Sequence, residues 1–116
     1  MKVVISGSRS ITDPSVVYKA LDECGFDITE MISGHAIGVD MFGERWAKDH
    51  NIPTKIFKPD YNLYKDRPKF APLARNTSMA IEGDALVAVC KNKSYGTMHM
   101  VNEMKKLHKP IYLVEV

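Results

Sequence analysis

The chain has 116 residues, 45% of them hydrophobic, and its 16 basic and 14 acidic residues give a formal charge of +2. This length fits one domain with its own core and excludes two, so we expect a single domain over residues 1–116. The charges are spread along the sequence, so no basic tail or lobe indicates a polyanionic partner. The apolar run at the N-terminus is too short for a signal peptide or a membrane span, so we expect a cytoplasmic protein with no membrane partner.

The first half of the chain alternates short apolar runs with amphipathic stretches. Lys2 to Ser6 is a β-branched run that ends at a glycine, which is typical of a strand buried on both faces. Asp13 followed by Pro14 predicts a helix start, because Asp caps helices and proline is tolerated in the first turn. The apolar stretch from Ile28 to Ser33 predicts a second strand, and apolar residues from Val39 to about His50 recur at helical spacing.

The third quarter of the chain contains a long segment without any sustained period. Pro53 to Phe57 predicts a third strand, and Lys58 to Phe70, which is rich in Pro, Tyr, Asp and Lys, predicts a long loop. Loops of this length are unusual in a compact domain and often bind or cover a ligand. Pro72 to Glu82 predicts a third helix, and Ala85 to Cys90 is the clearest buried strand in the sequence.

The last two predicted elements are a helix with an apolar stripe from Thr97 to His108 and a strand from Ile111 to Val114. Five strands that alternate with four helices predict an α/β fold, because each parallel crossover needs a right-handed connecting helix. We therefore expect a Rossmann-like, doubly wound parallel five-stranded sheet in the order 3-2-1-4-5, with helices on both faces.

Polar, glycine-containing segments follow three of the predicted strands. They are Gly7 to Ser10, Ser33 to Asp40 and Lys91 to Thr97. In a doubly wound sheet the ligand binds beyond the carboxyl ends of the strands, close to where the strand order reverses. Glycine lets the backbone approach a ligand, Arg9 can contact phosphate through two N–H groups, and the free N–H groups of a helix start favour an anion. The sequence therefore predicts a phosphate-bearing ligand at this edge of the sheet.

Each of these features also has an ordinary structural explanation. Glycines between a strand and a helix are common turn formers, Arg9 could form a surface salt bridge, and Asp40 could cap the second helix. His35 could be a loop residue without a special role. Cys24 and Cys90 show neither a disulfide framework nor metal-ligand spacing, so we expect no metal and no cofactor.

Four short motifs, taken in order, resemble the SLOG superfamily. They are Gly7-Ser8-Arg9, the SGHAIGVD stretch from Ser33 to Asp40, Arg75-Asn76 with Met79, and Gly96-Thr97. This Rossmann-like group contains the DprA/Smf DNA-processing proteins and the "lonely guy" cytokinin-nucleotide phosphoribohydrolases, and the chain is most similar to its YspA/YpsA-related branch. The resemblance runs through the whole chain and implies a site for a nucleotide or a nucleotide-derived ligand.

The resemblance also implies which residues form that site. Gly34, Gly38, Gly96 and Thr97 would cradle phosphate. Arg75 would bind phosphate or ribose, and Asp40 would orient the loop after the second strand. The phosphoribohydrolases carry a glutamate three residues after their conserved threonine, where this chain has Met100, and Glu103 lies one helical turn further on. The residues expected to bind the ligand are Gly7, Ser8, Arg9, Gly34, His35, Gly38, Asp40, Arg75, Asn76, Gly96 and Thr97.

Three functions are compatible with these residues. The leading hypothesis is a ligand sensor or binding module for a nucleotide-derived molecule. The second is a hydrolase that cleaves an N-glycosidic or phosphoester bond of a nucleotide, with Asp40, Glu103 or His35 as the general acid or base. The third is single-stranded nucleic acid binding, suggested by the DprA relationship and by basic residues interleaved with Tyr61 and Tyr64 in the long loop.

The expected partner is a nucleotide-derived small molecule rather than nucleic acid. The reason is that acidic residues such as Asp60 and Asp66 balance the basic residues around the long loop. A homodimer is also expected, through the methionine-rich fourth helix or the tyrosine-containing loop.

Overall fold

The computed structural model describes residues 1–116, in which five strands alternate with four helices. The strands are β1 (Lys2–Gly7), β2 (Glu30–Ser33), β3 (Thr54–Ile56), β4 (Ala85–Cys90) and β5 (Ile111–Glu115). The helices are α1 (Pro14–Glu23), α2 (Val39–Asp49), α3 (Phe70–Glu82) and α4 (Tyr95–Lys106). All four strand pairings are parallel and the order is β3-β2-β1-β4-β5. The predicted α/β fold class and the predicted strand order are confirmed.

The sheet has a hydrophobic core on each face. Val3 and Ile5 point to the face that is covered by α1 and α2, whereas Val4 between them points to the face covered by α3 and α4. This alternation follows from the two-residue repeat of a strand. Every residue of β4 is buried, as expected for a strand that has a neighbour on each side and helices on both faces.

The element boundaries show where the sequence patterns are incomplete. The side chain of Asp13 accepts a hydrogen bond from the Ser15 amide at 3.0 Å, as predicted for the start of α1. The second strand is shorter than predicted, since it begins at Glu30. Ile28 lies before it and packs against the core without being part of the strand. Helix α3 begins at Phe70, before Pro72, because the missing proline N–H would have no helical partner in the first turn.

Helix α2 packs tightly against the carboxyl end of β1. A Cβ atom on Gly7 would lie 2.5 Å from Cγ2 of Val39, so only glycine fits at the end of β1. Gly38 precedes α2 with φ of +83°, a backbone conformation that favours glycine. The two glycines bring the first and second loops into contact. None of the four helices has both the length and the apolar character required to cross a membrane.

Candidate functional site

A cavity of about 640 Å³ opens at the carboxyl ends of β1 and β4, where the strand order reverses. Reversal points of this kind are where doubly wound sheets bind ligands, and the volume lies within the range of small-molecule sites. Eight of the eleven predicted ligand-binding residues line the cavity, although they come from four separate segments of the chain. They are Gly7, Ser8, Arg9, Asp40, Arg75, Asn76, Gly96 and Thr97.

The other three predicted residues lie behind the cavity wall. The Gly34 carbonyl accepts a hydrogen bond from Nη1 of Arg75 at 3.0 Å. His35 turns away, and its Nδ1 lies 2.9 Å from a carboxylate oxygen of Glu44. Gly38 packs against the first loop, where a Cβ atom would lie 2.7 Å from the Ser8 carbonyl oxygen. These residues shape the wall rather than face the cavity.

Only one of the three candidate acid or base groups lines the cavity. Asp40 does, whereas the side chain of His35 is directed to Glu44. Glu103 is partly buried between α3 and α4, outside the cavity, where it accepts hydrogen bonds from Thr77 and from Lys106. These bonds lower the pKa of Glu103, the Thr77 hydroxyl having the largest effect. The structure therefore does not bring the three groups together.

Buried hydroxyl groups join the loops after β1 and β4. The Lys91 amide donates to Oγ of Ser8 at 2.8 Å, and the hydroxyls of Ser8 and Ser94 lie 2.9 Å apart. Ser94 in turn donates to Oγ1 of Thr97 at 2.8 Å. Ser8 is almost fully buried, and its hydroxyl is satisfied by these protein groups rather than by water. Ser94 belongs to the predicted segment Lys91 to Thr97 but was not among the residues expected to bind the ligand, and it lines the cavity beside Thr97.

Arg75 connects the loops after β2 and β3. Its Nη1 donates to the carbonyls of Gly34 at 3.0 Å and Phe57 at 3.4 Å, and its Nε donates to Oδ1 of Asn76 at 3.1 Å. Burial lowers the pKa of Arg75, Asp40 opposes this effect, and the like charge of Arg9 adds to it. The guanidinium nevertheless stays protonated in the physiological range.

Asp40 is a buried carboxyl group in the first turn of α2. Burial raises its pKa to about 7, against the opposing effects of the Ala36 amide, 3.3 Å from Oδ2, and of Arg75. A substantial fraction of the molecules therefore carries a neutral Asp40 near pH 7. The alternative that Asp40 caps α2 is wrong, because the capping position is occupied by Gly38 and no side chain caps this helix.

Three cationic side chains line the cavity, and one acidic side chain accompanies them. The cations are Arg9, Lys69 and Arg75, and the acid is the largely desolvated Asp40. Lys69 is one of the basic residues of the long loop that suggested nucleic acid binding and was not among the residues expected to bind a nucleotide; it lines the wall because it directly precedes α3. The cavity is therefore an electropositive environment that favours an anion.

The fold also separates charges that are interspersed in the sequence. The four loops that follow strands carry seven basic and three acidic residues, whereas the four loops that follow helices carry one basic and two acidic residues. The basic residues of the first group are Arg9, Lys58, Lys65, Arg67, Lys69, Lys91 and Lys93, and the acidic ones are Asp13, Asp60 and Asp66. Since parallel strands all end at one edge, that edge is basic. No three His, Cys, Asp or Glu side chains lie close enough to hold a metal ion.

Comparison with known families identifies the family of this chain. The model of the YspA, cpYpsA-related SLOG family matches residues 1–64, which is more than half of the chain. The chain belongs to this SLOG family. The match includes the loop after β1 and the first turn of α2 and therefore Arg9 and Asp40. No curated protein matches the sequence of this SLOG chain.

Two solved structures share the fold of this SLOG chain. DNA processing protein A (DprA) from Streptococcus pneumoniae aligns with a TM-score of 0.78 at 17% identity, over 97% of this chain and 49% of that protein. DprA from Helicobacter pylori, solved to describe its single-stranded DNA binding mode, aligns with a TM-score of 0.74 at 21% identity, over 97% of this chain and 64% of that protein. This SLOG chain thus spans about half to two thirds of the DprA chains.

The expectation that nucleic acid is not a partner is corrected by this comparison. The Helicobacter pylori protein, which has the same fold, binds single-stranded DNA. The sequence argument failed because it balanced Asp60 and Asp66 against their basic neighbours within a single loop. The fold adds Arg9, Lys91 and Lys93 from two other loops to the same edge, against one further acid, Asp13, so the excess of basic over acidic residues there is larger than in the long loop alone.

Proposed function

We propose that this SLOG chain binds single-stranded nucleic acid along the carboxyl edge of its sheet, with one backbone phosphate in the cavity. The observation that carries the proposal is the convergence of Arg9, Lys69 and Arg75 on that cavity. The proximity of Arg9 disfavours the charged form of Arg75. A phosphate between them would replace repulsion by two attractive, charge-assisted contacts.

The surroundings of the cavity suit a longer polyanion than a single phosphate. The loops after the strands carry the seven basic residues named above, which can follow a phosphate backbone. Tyr95 lines the cavity and is 75% exposed, and Tyr61, which is 54% exposed, lies near Arg75. Exposed aromatic rings beside a basic groove allow bases to stack without sequence preference. The likeness to the DNA-binding DprA fold supports the same proposal.

The proposal can be tested with a fluorescein-labelled oligothymidylate of about 16 nucleotides, a length that covers the usual single-strand site sizes. Fluorescence anisotropy would measure its affinity as salt is raised from about 50 to about 200 mM. We expect saturable binding that weakens steeply with salt and falls further in Arg9→Gln. A duplex of equal length is the matched control and should bind more weakly. Absence of binding by the folded protein at the lowest salt would exclude the proposal.

A second candidate is a free nucleotide-derived ligand, favoured by the volume of the cavity. Its volume of about 640 Å³ can hold a ligand of that size, and the hydroxyls of Ser8, Ser94 and Thr97 stand at its base. Calorimetry with AMP, cyclic nucleotides, ADP-ribose and NAD would detect it. Tight binding of one of these compounds, with no response to the oligothymidylate, would replace the first candidate by the second.

The protein–nucleotide mixtures used for calorimetry also test whether the protein hydrolyses such a nucleotide. Chromatography after prolonged incubation would show a released base or phosphate if the cavity cleaves its ligand. Asp40 is the acid in the cavity, so Asp40→Asn should abolish any such product. Unchanged nucleotide with the native protein would leave binding without turnover.

A further inference from the structure

We infer that His99 is a positioning residue that holds the Arg75–Asn76 pair in place through one defined tautomer, with Nδ1 unprotonated. The inference rests on the proposed function for its binding test. It does not follow from the motifs of the sequence, none of which contains His99. It follows from a set of hydrogen bonds in which each donor and acceptor is fixed by its neighbour.

The orientation of the Asn76 amide is determined by two groups of invariant polarity. Arg75 Nε can only donate, so the Asn76 atom 3.1 Å away is the oxygen Oδ1. The Gly96 carbonyl can only accept, so the Asn76 atom 3.3 Å away is the nitrogen Nδ2. The two contacts agree on one orientation and exclude the flipped amide.

The orientation of Asn76 then determines the state of His99. Nδ2 of Asn76 has two protons, and its two neighbours are the Gly96 carbonyl and Nδ1 of His99, the latter at 3.1 Å. Nδ1 must therefore accept, which places the imidazole proton on Nε2 in the neutral ring. Asn76 is only 5% exposed, so water cannot readily replace the lost acceptor if Nδ1 carries a proton.

The same bonds connect three walls of the cavity. Arg75 reaches the Gly34 and Phe57 carbonyls after β2 and β3, and Asn76 reaches the Gly96 carbonyl in the first turn of α4. His99 holds the amide from α4, one turn further along the helix. It lines no part of the cavity itself, so it acts on a ligand only through Asn76 and Arg75.

Two substitutions separate the acceptor role from the space that the ring fills. In His99→Asn, Oδ1 lies near the place of Nδ1 and can still accept, whereas the apolar side chain of His99→Leu cannot. With the labelled oligothymidylate, we expect an affinity loss of about tenfold in His99→Leu, as an unpaired buried donor implies, and a loss of at most about threefold in His99→Asn. Equal loss in both variants, or no loss in folded His99→Leu, would overturn the inference.

A second measurement does not depend on binding or on the variants. Long-range ¹H–¹⁵N correlation spectra of the native protein report which ring nitrogen of His99 carries the proton. We expect Nε2 to be protonated and Nδ1 to resonate as an unprotonated nitrogen, and the opposite tautomer would overturn the inference. If the native protein does not bind the oligothymidylate, the proposed function fails, whereas the spectrum still decides the tautomer.

Discussion

The guanidinium of Arg75 occupies the space that a side chain at Gly34 would need. Nη1 of Arg75 donates to the Gly34 carbonyl at 3.0 Å, and a Cβ atom on Gly34 would lie 2.5 Å from the same nitrogen. The same Cβ would lie 3.2 Å from Oδ2 of Asp40. Gly34, in the loop after β2, therefore leaves space for the side chain of Arg75 from α3 rather than contacting a ligand.

Gly34→Ala should displace Arg75 from the cavity wall. We expect an affinity loss of about tenfold for the labelled oligothymidylate and a decrease of about 1–3 kcal/mol in the free energy of unfolding, as in other overpacked sites. Anisotropy and urea unfolding would measure the two effects. Gly96→Ala is the control for stability, because no atom lies within 4 Å of its Cβ position. Native affinity together with unfolding at the native midpoint in Gly34→Ala would show that Arg75 does not depend on this glycine.

Asp40 should make the protein less stable as the pH rises. Its pKa is about 7 in the folded protein and about 3.9 in an unfolded chain, so the folded state binds the extra proton between these values. The stability that this proton contributes is present below about pH 4 and is lost as the pH rises through about 7, by roughly 4 kcal/mol at most.

Urea unfolding as a function of pH would test the effect of Asp40. The Asp40→Asn variant should lose this part of the pH dependence and should gain stability relative to the native protein at pH values above about 7. Asp49→Asn, which alters an exposed carboxylate on the same helix, should leave the slope unchanged. The same slope in native protein and in Asp40→Asn would assign the pH dependence to other groups.

Ser8→Ala should weaken the contact between the loops after β1 and β4. The substitution leaves the Lys91 amide without the acceptor that now lies 2.8 Å away, at a cost of about 1–3 kcal/mol. Chemical denaturation would measure the loss. Ser78→Ala is the control, because Ser78 is exposed on α3 and its hydroxyl bonds only within that helix. A loss no larger than that of the control would mean that the Lys91 amide finds another partner.

Lys69→Gln should reduce the salt dependence of nucleic acid binding. If Lys69 neutralises one phosphate, the slope of log affinity against log salt should become shallower by about 0.7. Lys105→Gln should leave the slope unchanged, because Lys105 lies in the last turn of α4 and away from the loops that follow strands. An unaltered slope in Lys69→Gln would mean that the nucleic acid binds elsewhere on the surface.

The sequence predicted the fold because its local patterns and the global architecture agree. The apolar run from Ala85 to Cys90 predicted a buried strand and Asp13 with Pro14 predicted a helix start, and both are observed. Parallel crossovers of one hand then left few strand orders, of which the predicted order 3-2-1-4-5 is the one observed. The edge at which the cavity lies followed from the same rule.

Only the tertiary structure decided which residues at that edge line the cavity and which support its walls. Two residues of one predicted segment separate in space, because Asp40 faces the cavity while His35 is directed to Glu44. Lys69 and His99, which no motif marks, enter the site or its support through their place on α3 and α4. A sequence pattern reports which side of an element is buried, whereas hydrogen bonds and summed charge depend on which segments meet, and only the folded chain brings them together.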